Sequence, residues 1–415
     1  MSLTLSGTDG VGGAGFTLDA SGASVTAGVG TFGSFADVKV GSGVTISQDG
    51  DVFTTGITTS SSVIVGGGVT ISESGIEASG IGITVANING TQIGGRKNIV
   101  INGAMMVAQR GTSFTSTGAE YTMDRFKHEV GTSFNFDTTT THSADHPHGF
   151  KNSIKITPDS VVTPSGSENG TIRYQIEGQD LQQFAHGTSS AKSMTLSFYA
   201  KSASQNSGHV YSIQIRKYDP SDNRKYVLKP FTVTDSWQRF SFTFIGDTAQ
   251  SISDGITNGM ELDWHLSSGP DDLVSETSTW TSSTKFQAIS GQDNFMDNTS
   301  NYFYLTGVQL EVGSQATAFE HRSYNEELTL CQRYYQNGYF RCRLNGRSAE
   351  TISEFTHYFK GTMRTAPTVT TANTLGTIAA VSDPDGYYGG DGIYLDFSND
   401  TNLNFAAQVF ANAEL

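Results

Sequence analysis

A strand pattern that cannot build a core of its own is repeated near the start of the chain. Residues 38–47, VKVGSGVTIS, return as VIVGGGVTIS at residues 63–72, an offset of 25 residues. Both copies alternate apolar with small polar residues, and Gly turns separate their short strands. A weaker copy places Leu18 28 residues before Ile46. Repeats of this length indicate stacked supersecondary units.

The composition of residues 1–95 suggests why such units need neighbours. This segment holds 22 of the 47 glycines and contains neither Trp nor Tyr. A lone chain of these repeats would bury little apolar area and would leave its strand edges bare. Three copies wound together would bury Val, Ile and Leu along a shared axis. We therefore expect a multi-chain, Gly-rich β-repeat stalk, with a flexible Gly/Ser/Thr arm as the alternative.

Residues 96–324 have a different composition, in which Arg, Pro, His and aromatic residues all occur. Apolar and polar residues alternate in eight runs separated by clusters of Gly, Asn, Asp or Ser. Because no helical period or βαβ alternation competes, we expect an antiparallel β-sandwich of the jelly-roll type. The runs are KNIVINGAMMVAQRG, SIKITP, TIRYQIEG, SMTLSFYAKSA, HVYSIQIRKYD, WQRFSFTFIG, MELDWHL and NYFYLTGVQLEVG.

The strongest helix signal follows the sandwich, at residues 323–336, SYNEELTLCQRYYQ. Ser323 opens a capping box, and Leu328, Cys331 and Tyr335 recur on one face. We expect that face to be buried where the helix joins the sandwich to a small terminal β-domain. The chain is thus predicted to be all-β, with one short helix. Its predicted parts are a stalk at 1–95, a jelly roll at 96–324, and a linker helix with a C-terminal β-domain at 325–415.

Charge and cysteine content exclude several classes of protein. The formal net charge of −15 should repel phosphate backbones, so we expect no nucleic-acid partner. No apolar run approaches the roughly 18 residues that span a bilayer, so we expect no membrane insertion. The first ten residues, MSLTLSGTDG, lack the features of a secretion signal, which predicts synthesis in a cytoplasm. Cys331 and Cys342 should then be reduced.

Catalytic and metal-binding signals are weak. Neither of the two segments with clustered His or Asp has the spacing of a metal site, so we expect no metal and no cofactor. An acid pair beside a sugar groove, a nucleophile elbow and a phosphate loop are all lacking, so no catalytic residue is predicted and the protein should not be an enzyme. The clustered residues are His142, Asp145, His146 and His148, and Asp383, Asp385 and Asp391.

Aromatic residues in polar surroundings are the best candidates for a binding site. Trp237 and Trp264 lie in strand patterns and are expected in the core. Trp280 lies in the polar stretch VSETSTWTSSTK, and Tyr387 and Tyr388 lie between Gly/Asp turns. Exposed ring faces beside polar groups favour sugar binding, so these three are the predicted glycan-binding residues. The alternative is that they merely cap a sheet.

Two segments resemble parts of a known family. Residues 97–126, from KNIVINGAMMVAQRGTSF to YTMDRF, resemble the start of a module found in bacteriophage tail-fibre proteins, and residues 301–335 resemble its end. The strands between them, SMTLSFYAKS and DSWQRFSFTF, are similar to those of jelly-roll carbohydrate-binding modules. The stalk resembles repeats of cyanophage structural proteins.

The resemblance implies a homotrimeric, non-enzymatic virion fibre of the tail that recognises the host surface. Its N-terminus would join other tail or virion proteins, and its β-domains would bind host polysaccharide or lipopolysaccharide. Two alternatives stay open. One is a structural spacer or capsid-bound fibre without a receptor, and the other is a spike that degrades polysaccharide. Jelly-roll modules also serve as spacers, so the fold alone does not decide between them.

Overall fold

The computed structural model divides the chain into two compact units, Met1–Thr84 and Val85–Leu415. Before residue 95 it describes only the backbones of short strands. The other described residues are 95–130, 135–203, 208–283, 285–343, 352–375, 377–382, 391–398 and 404–415.

The first unit repeats one small sheet. Strands β3–β5 and β6–β8 form three-stranded antiparallel sheets, and β1 and β2 form a hairpin. Val38 pairs with Ile46 in the first sheet, and Val63 pairs with Ile71 in the second. The repeat in the sequence is therefore a repeat of the backbone, whereas the stalk and its trimer stay predictions. The strands are β1 (Phe16–Asp19), β2 (Gly22–Val25), β3 (Asp37–Val40), β4 (Val44–Ser47), β5 (Val52–Thr54), β6 (Ser62–Val65), β7 (Val69–Ser72) and β8 (Gly75–Ala78).

The second unit begins with a short hairpin of β9 (Asn87–Ile88) and β10 (Thr91–Gln92), which the sandwich strands follow. Three short 3-10 helices, Gly178–Phe184, Pro270–Asp272 and Phe295–Asp297, lie between those strands. The sandwich strands are β11 (Ser113–Ser116), β12 (Glu120–Tyr121), β13 (Phe126–Val130), β14 (Thr138–Ser143), β15 (Ser153–Pro158), β16 (Asn169–Glu177), β17 (Met194–Ser202), β18 (His209–Tyr218), β19 (Arg224–Val233), β20 (Gln238–Phe244), β21 (Asn258–Ser268), β22 (Leu273–Val274), β23 (Thr281–Ser282), β24 (Ala288–Ile289) and β25 (Phe303–Val312).

Two antiparallel sheets make up the sandwich. The six-stranded sheet has the order β11-β14-β15-β25-β17-β20, and the seven-stranded sheet has the order β12-β13-β16-β21-β18-β19-β23. The chain passes back and forth between the sheets, and the late strand β25 pairs between β15 and β17. Such crossing connections define a jelly roll. The predicted all-β class and jelly-roll sandwich are therefore confirmed.

The inner faces of the two sheets form one aromatic core, since alternate residues of each strand point inward. Trp264 on β21 is fully buried, as predicted, and its ring packs edge-on against Phe198 of β17 at 5.6 Å. Phe198 also contacts Phe231 of β19 at 5.4 Å. Truncating one of these rings to Ala would cost about 3–5 kcal/mol.

The opposite face of the seven-stranded sheet is buried as well, although it is charged. Arg173 lies directly across from Asp263, and Arg216 across from Glu261. The Arg173 Nε donates to Asp263 Oδ1 at 2.7 Å, and the Arg216 Nε donates to Glu261 Oε2 at 2.9 Å. The Phe286 ring lies over both guanidinium groups, at 4.4 and 3.8 Å. We call these four charged residues the charge ladder. Because all four side chains are buried, this part of the face is not an open cleft.

The helix α1 (Tyr324–Gln332) is shorter than predicted. Its start is confirmed, because the Ser323 hydroxyl accepts from the Glu326 N–H at 3.3 Å. Its predicted last turn is wrong, because Tyr335 pairs with Asn412 and begins a strand instead. Cys331 and Tyr335 are buried as expected, but Leu328 is only half-buried. Cys331 is a free thiol.

Two three-stranded sheets, β26-β31-β28 and β27-β30-β29, form the C-terminal part. Their shared core includes Ile393, Leu395, Phe405, Ala407 and Val409. The last strand packs against this core, because its residues 405, 407, 409 and 411 are buried. The strands are β26 (Tyr335–Arg343), β27 (Ile352–Tyr358), β28 (Thr368–Leu375), β29 (Thr377–Ser382), β30 (Gly392–Ser398) and β31 (Asn404–Asn412).

A buried ion pair fastens the end of this part to the sandwich. Arg125 and Glu414 are in direct contact, and their side chains are only 1% and 3% exposed. The Arg125 guanidinium also lies over the Tyr334 ring at 3.4 Å, and Arg110 approaches Glu414 at 3.1 Å. Burial alone would lower the pKa of Arg125, but Glu414 raises it well above its usual value. Arg125 therefore remains charged in the interior.

Candidate functional site

Three exposed tyrosines from three different elements line one pocket of about 540 Å³. Tyr324 begins α1, Tyr339 lies on β26, and Tyr358 ends β27. Their exposed fractions are 52%, 63% and 65%, which is unusual for aromatic side chains in a folded chain. We call this site the tyrosine pocket.

Strand alternation places two of the three rings. Phe340 and Phe359 pack against the C-terminal core, so their neighbours Tyr339 and Tyr358 point away from it. Tyr324 lies on the same face of α1 as the buried residue Cys331, seven positions on, but it is the first residue of the helix and stays exposed.

Gln336 holds the floor of the pocket together. Its Nε2 donates to the carbonyls of Gln332 at 3.0 Å and Gly361 at 2.9 Å, and its Oε1 accepts from the Lys360 N–H at 2.8 Å. These bonds join α1, β26 and the segment after β27. A pocket whose walls are tied in this way is already formed before a ligand arrives, which lowers the entropic cost of binding.

A histidine reaches the pocket because a glycine leaves room for it. A Cβ atom on Gly338 would lie 3.3 Å from Nε2 of His357, so a larger residue there would push the ring away. Burial lowers the pKa of His357, and Lys360 lowers it further. The neutral imidazole therefore offers one donor and one acceptor at pH 7. No Asp or Glu is among the described residues that line this pocket.

The predicted glycan-binding residue Trp280 lies elsewhere, near the edge of the seven-stranded sheet. It is half-buried, packs against the sandwich core, and donates from Nε1 to the Ile245 carbonyl at 2.8 Å. Its ring meets His186 edge-on at 5.5 Å and lies 5.1 Å from Lys217 Nζ. The tryptophan thus has a packing role, and its contact with sugar stays a prediction. Tyr387 and Tyr388 lie outside the described residues.

Trp237 is not in the core, contrary to the expectation from its strand pattern. Its Nε1 donates to Asp145 at 3.0 Å, and its ring meets Tyr304 edge-on at 5.8 Å on the outer face of the six-stranded sheet. Phe240, Phe242 and Phe244 of β20 pack inward, so strand alternation turns Trp237 to the outer face. Partial burial would raise the pKa of Asp145, but hydrogen bonds from Lys201 and Trp237 lower it.

The other two polar clusters carry no metal signature within the described part of the chain. No group of three or more His, Cys, Asp or Glu side chains there could hold a metal ion. His142 Nε2 lies 2.7 Å from the Met105 carbonyl, and His146 Nδ1 lies 3.0 Å from the Pro147 carbonyl. Asp383 and Asp385 lie outside the described residues. Within the described part of the chain, no helix has the length and apolar character needed to cross a membrane.

Sequence reasoning missed the tyrosine pocket because its residues come from separate elements. Tyr339 and Phe340 are adjacent, and the sequence does not say which of them faces the core. A signal was present at Gly338, since a glycine inside a strand often marks a site where another group approaches closely.

No protein-family description and no curated protein matches the chain. Among solved structures, it is similar to a putative sugar binding protein from Bacteroides thetaiotaomicron, with 11% identity over 52% of this chain and 100% of that one and a TM-score of 0.31. The xylan-binding domain CBM22-1 of Xyn10C from Paenibacillus barcinonensis gives 9% identity, 54% and 100% coverage, and 0.27.

The enzymatically active domain of tailspike protein 4 from bacteriophage CBA120 is also similar, with 12% identity and a TM-score of 0.26. The match covers 52% of this chain but only 21% of the tailspike chain. Because all three TM-scores are far below 0.5, no ligand or activity is transferred from these proteins.

Proposed function

We propose that this chain is a homotrimeric phage tail fibre that attaches the virion to its host by binding surface glycans, without cleaving them. The convergence of Tyr324, Tyr339 and Tyr358 on one pocket carries the proposal. Flat ring faces stack on the apolar faces of sugars, and neighbouring amides and imidazoles bond their hydroxyls. The resemblance of residues 97–126 and 301–335 to a tail-fibre module supports the virion role.

Because a trimer carries three copies of the site, weak binding at each copy is sufficient for attachment to the host. Each fibre would carry three tyrosine pockets, and several fibres would act together on one virion. Millimolar affinity at each pocket then becomes firm attachment through effective concentration. In this arrangement the N-terminus joins other tail or virion proteins, and the fibre, made in the host cytoplasm, ends in the virion. No metal or cofactor is required.

The pocket is tested by adsorption of the full-length fibre to host cells, alongside an array of bacterial surface glycans. Tyr339→Ala with Tyr358→Ala should abolish binding to the uncharged glycans of the array and reduce adsorption, because both stacking faces are lost. Tyr339→Phe with Tyr358→Phe keeps the rings and should retain most binding. Binding that survives the Ala pair but fails in Trp280→Ala or in Tyr387→Ala with Tyr388→Ala would assign the site to those residues instead.

Three controls separate the proposal from its alternatives. Light scattering on the Ala pair must still give the parent oligomer, since loss of the trimer would make the pocket an interface between copies. A parent fibre that adsorbs to no cell and no glycan would be a spacer. Release of reducing sugar from host polysaccharide would instead make the fibre a depolymerase.

A further inference from the structure

Basic and aromatic side chains alternate across the outer face of the six-stranded sheet. Tyr304 on β25 lies directly across from Lys155 on β15 and from Lys201 on β17. The two ammonium groups lie 5.6 and 4.6 Å from its ring centre. Trp237 and Tyr302 meet the same ring edge-on, at 5.8 and 5.4 Å. We call this surface the basic face.

The positive charges of the basic face are only partly neutralised. Asp145 forms an ion pair with Lys201, but its side chain is 43% exposed and solvent screens the contact. Lys155 has no ion-pair partner among the residues that the structure describes, and its ammonium group lies beside the ring of Tyr304. Arg239, one row further along, packs beside Tyr199 at 5.9 Å. Three cations thus share one face of a chain whose formal net charge is −15.

Two other carboxylates lie along this sheet. Glu311 is seven positions beyond Tyr304 on β25, is 1% exposed, and accepts from the Thr317 N–H and hydroxyl at 2.9 and 2.7 Å. Asp159 is exposed and accepts from the Thr139 hydroxyl at 3.0 Å; Thr139 pairs with Thr157, two positions along β15 from Lys155. An anion approaching the two lysines therefore meets Asp145 beside Lys201 and Asp159 further along the sheet.

The register of the sheet extends this surface into a row. Ser113, Thr141, Lys155, Tyr304 and Lys201 are opposed in succession on five neighbouring strands, β11 to β17. Neighbouring strands are about 4.8 Å apart, so the row is about 19 Å long. Hydroxyls occupy one end, and rings with cations occupy the other. A row of this length fits an extended polymer better than a single small anion.

We propose that the basic face binds an acidic polysaccharide, one that carries carboxylates on its sugar units. The lysines would pair with the carboxylates, the half-buried rings of Trp237 and Tyr302 beside the buried Tyr304 would pack against sugar faces, and Ser113 and Thr141 would bond hydroxyls. The rings favour sugar over a bare polyphosphate, and the net charge disfavours nucleic acid. This site shares no residue with the tyrosine pocket, so it stands or falls independently of the function proposed above.

The test uses the full-length chain and four polymers: polygalacturonate and alginate, which are carboxylated, and the methyl ester of the first and the propylene glycol ester of the second, whose charge is blocked. The parent should bind at least one acid polymer and lose about tenfold or more of its affinity for the corresponding ester. Lys155→Gln with Lys201→Gln should cause a comparable loss. Lys155→Gln alone should cause part of it, and it breaks no ion pair among the described residues.

A second pair of lysines provides the matched control. Lys229→Gln with Lys285→Gln brings the net charge to the same value, −15 − 2 = −17, but changes residues away from the basic face. This control and the Tyr339→Ala, Tyr358→Ala pair should bind the acid polymers like the parent. Equal loss in both lysine pairs would overturn the proposal in favour of overall charge. Equal affinity for acid and ester, or no binding to either acid polymer, would overturn it as well.

Discussion

Replacing Glu414 by Gln should destabilise the second unit by about 3–5 kcal/mol, the usual cost of removing one partner from a buried ion pair. The structure favours the upper part of this range. Arg125 is 1% exposed, so water cannot replace the lost carboxylate. Arg110 lies 3.1 Å from the same carboxylate and would add repulsion between two cations. The Tyr334 ring compensates only part of the unpaired positive charge of Arg125.

Urea unfolding of the full-length chain, followed by tryptophan fluorescence, measures the effect as a change in midpoint at constant slope. Asp222→Asn is the matched control, because the Arg224–Asp222 pair has side chains that are 30% and 68% exposed. That pair should contribute less than about 1 kcal/mol. Arg125→Met combined with Glu414→Met should recover much of the stability, since it removes both charges and keeps most of the volume.

The reasoning would be refuted if Glu414→Gln cost no more than Asp222→Asn. It would also fail if the double Met variant were less stable than Glu414→Gln alone, because the charge left in the interior would then not be the cause. A changed dependence of the unfolding free energy on urea concentration would indicate loss of two-state unfolding. The midpoint of Glu414→Gln would then be compared only with that of Asp222→Asn under the same conditions.

Three further outcomes follow from the structure. Burial lowers the pKa of His265 to about 3, so the unfolded chain binds a proton that the folded chain does not. The free energy of unfolding should therefore fall as the pH drops from about 6.5 towards 3, by at most about 1.4 kcal/mol per pH unit. The same pH dependence in His265→Gln would contradict this. Gly307 has φ +61°, and a Cβ there would lie 2.7 Å from Phe150 and 2.8 Å from Tyr199. Gly307→Ala should therefore lower the melting temperature measurably. An unchanged melting temperature would contradict this steric argument. Cys331 is buried and free, so it should react with a thiol reagent only after unfolding, and labelling of the folded protein would contradict its position.

The fold was largely predictable because strand periodicity is a local signal. Trp264 alternates with Met260, Leu262 and Leu266 in the sequence, and these four residues are buried together. The expectation failed at Trp237 because it followed the residue type. The alternation that turns Phe240, Phe242 and Phe244 inward places Trp237 on the outer face.

The helix boundary shows a second limit. The cap at Ser323 is written in neighbouring residues and was predictable. The helix ends early because Tyr335 pairs with Asn412, a partner 77 positions away that no local pattern reveals. The tyrosine pocket and the basic face were missed for the same reason, since both depend on which strands become neighbours.

The charge ladder makes the fold and its contacts respond differently to salt. Arg173, Arg216, Glu261 and Asp263 are shielded from the medium, so dissolved ions cannot weaken their attraction. The lysines of the basic face are partly exposed to those ions, and at 1 M salt the screening length falls to about 3 Å. High salt should therefore release an acidic polymer from the proposed site while leaving the sandwich folded, and dilution of the salt should restore binding.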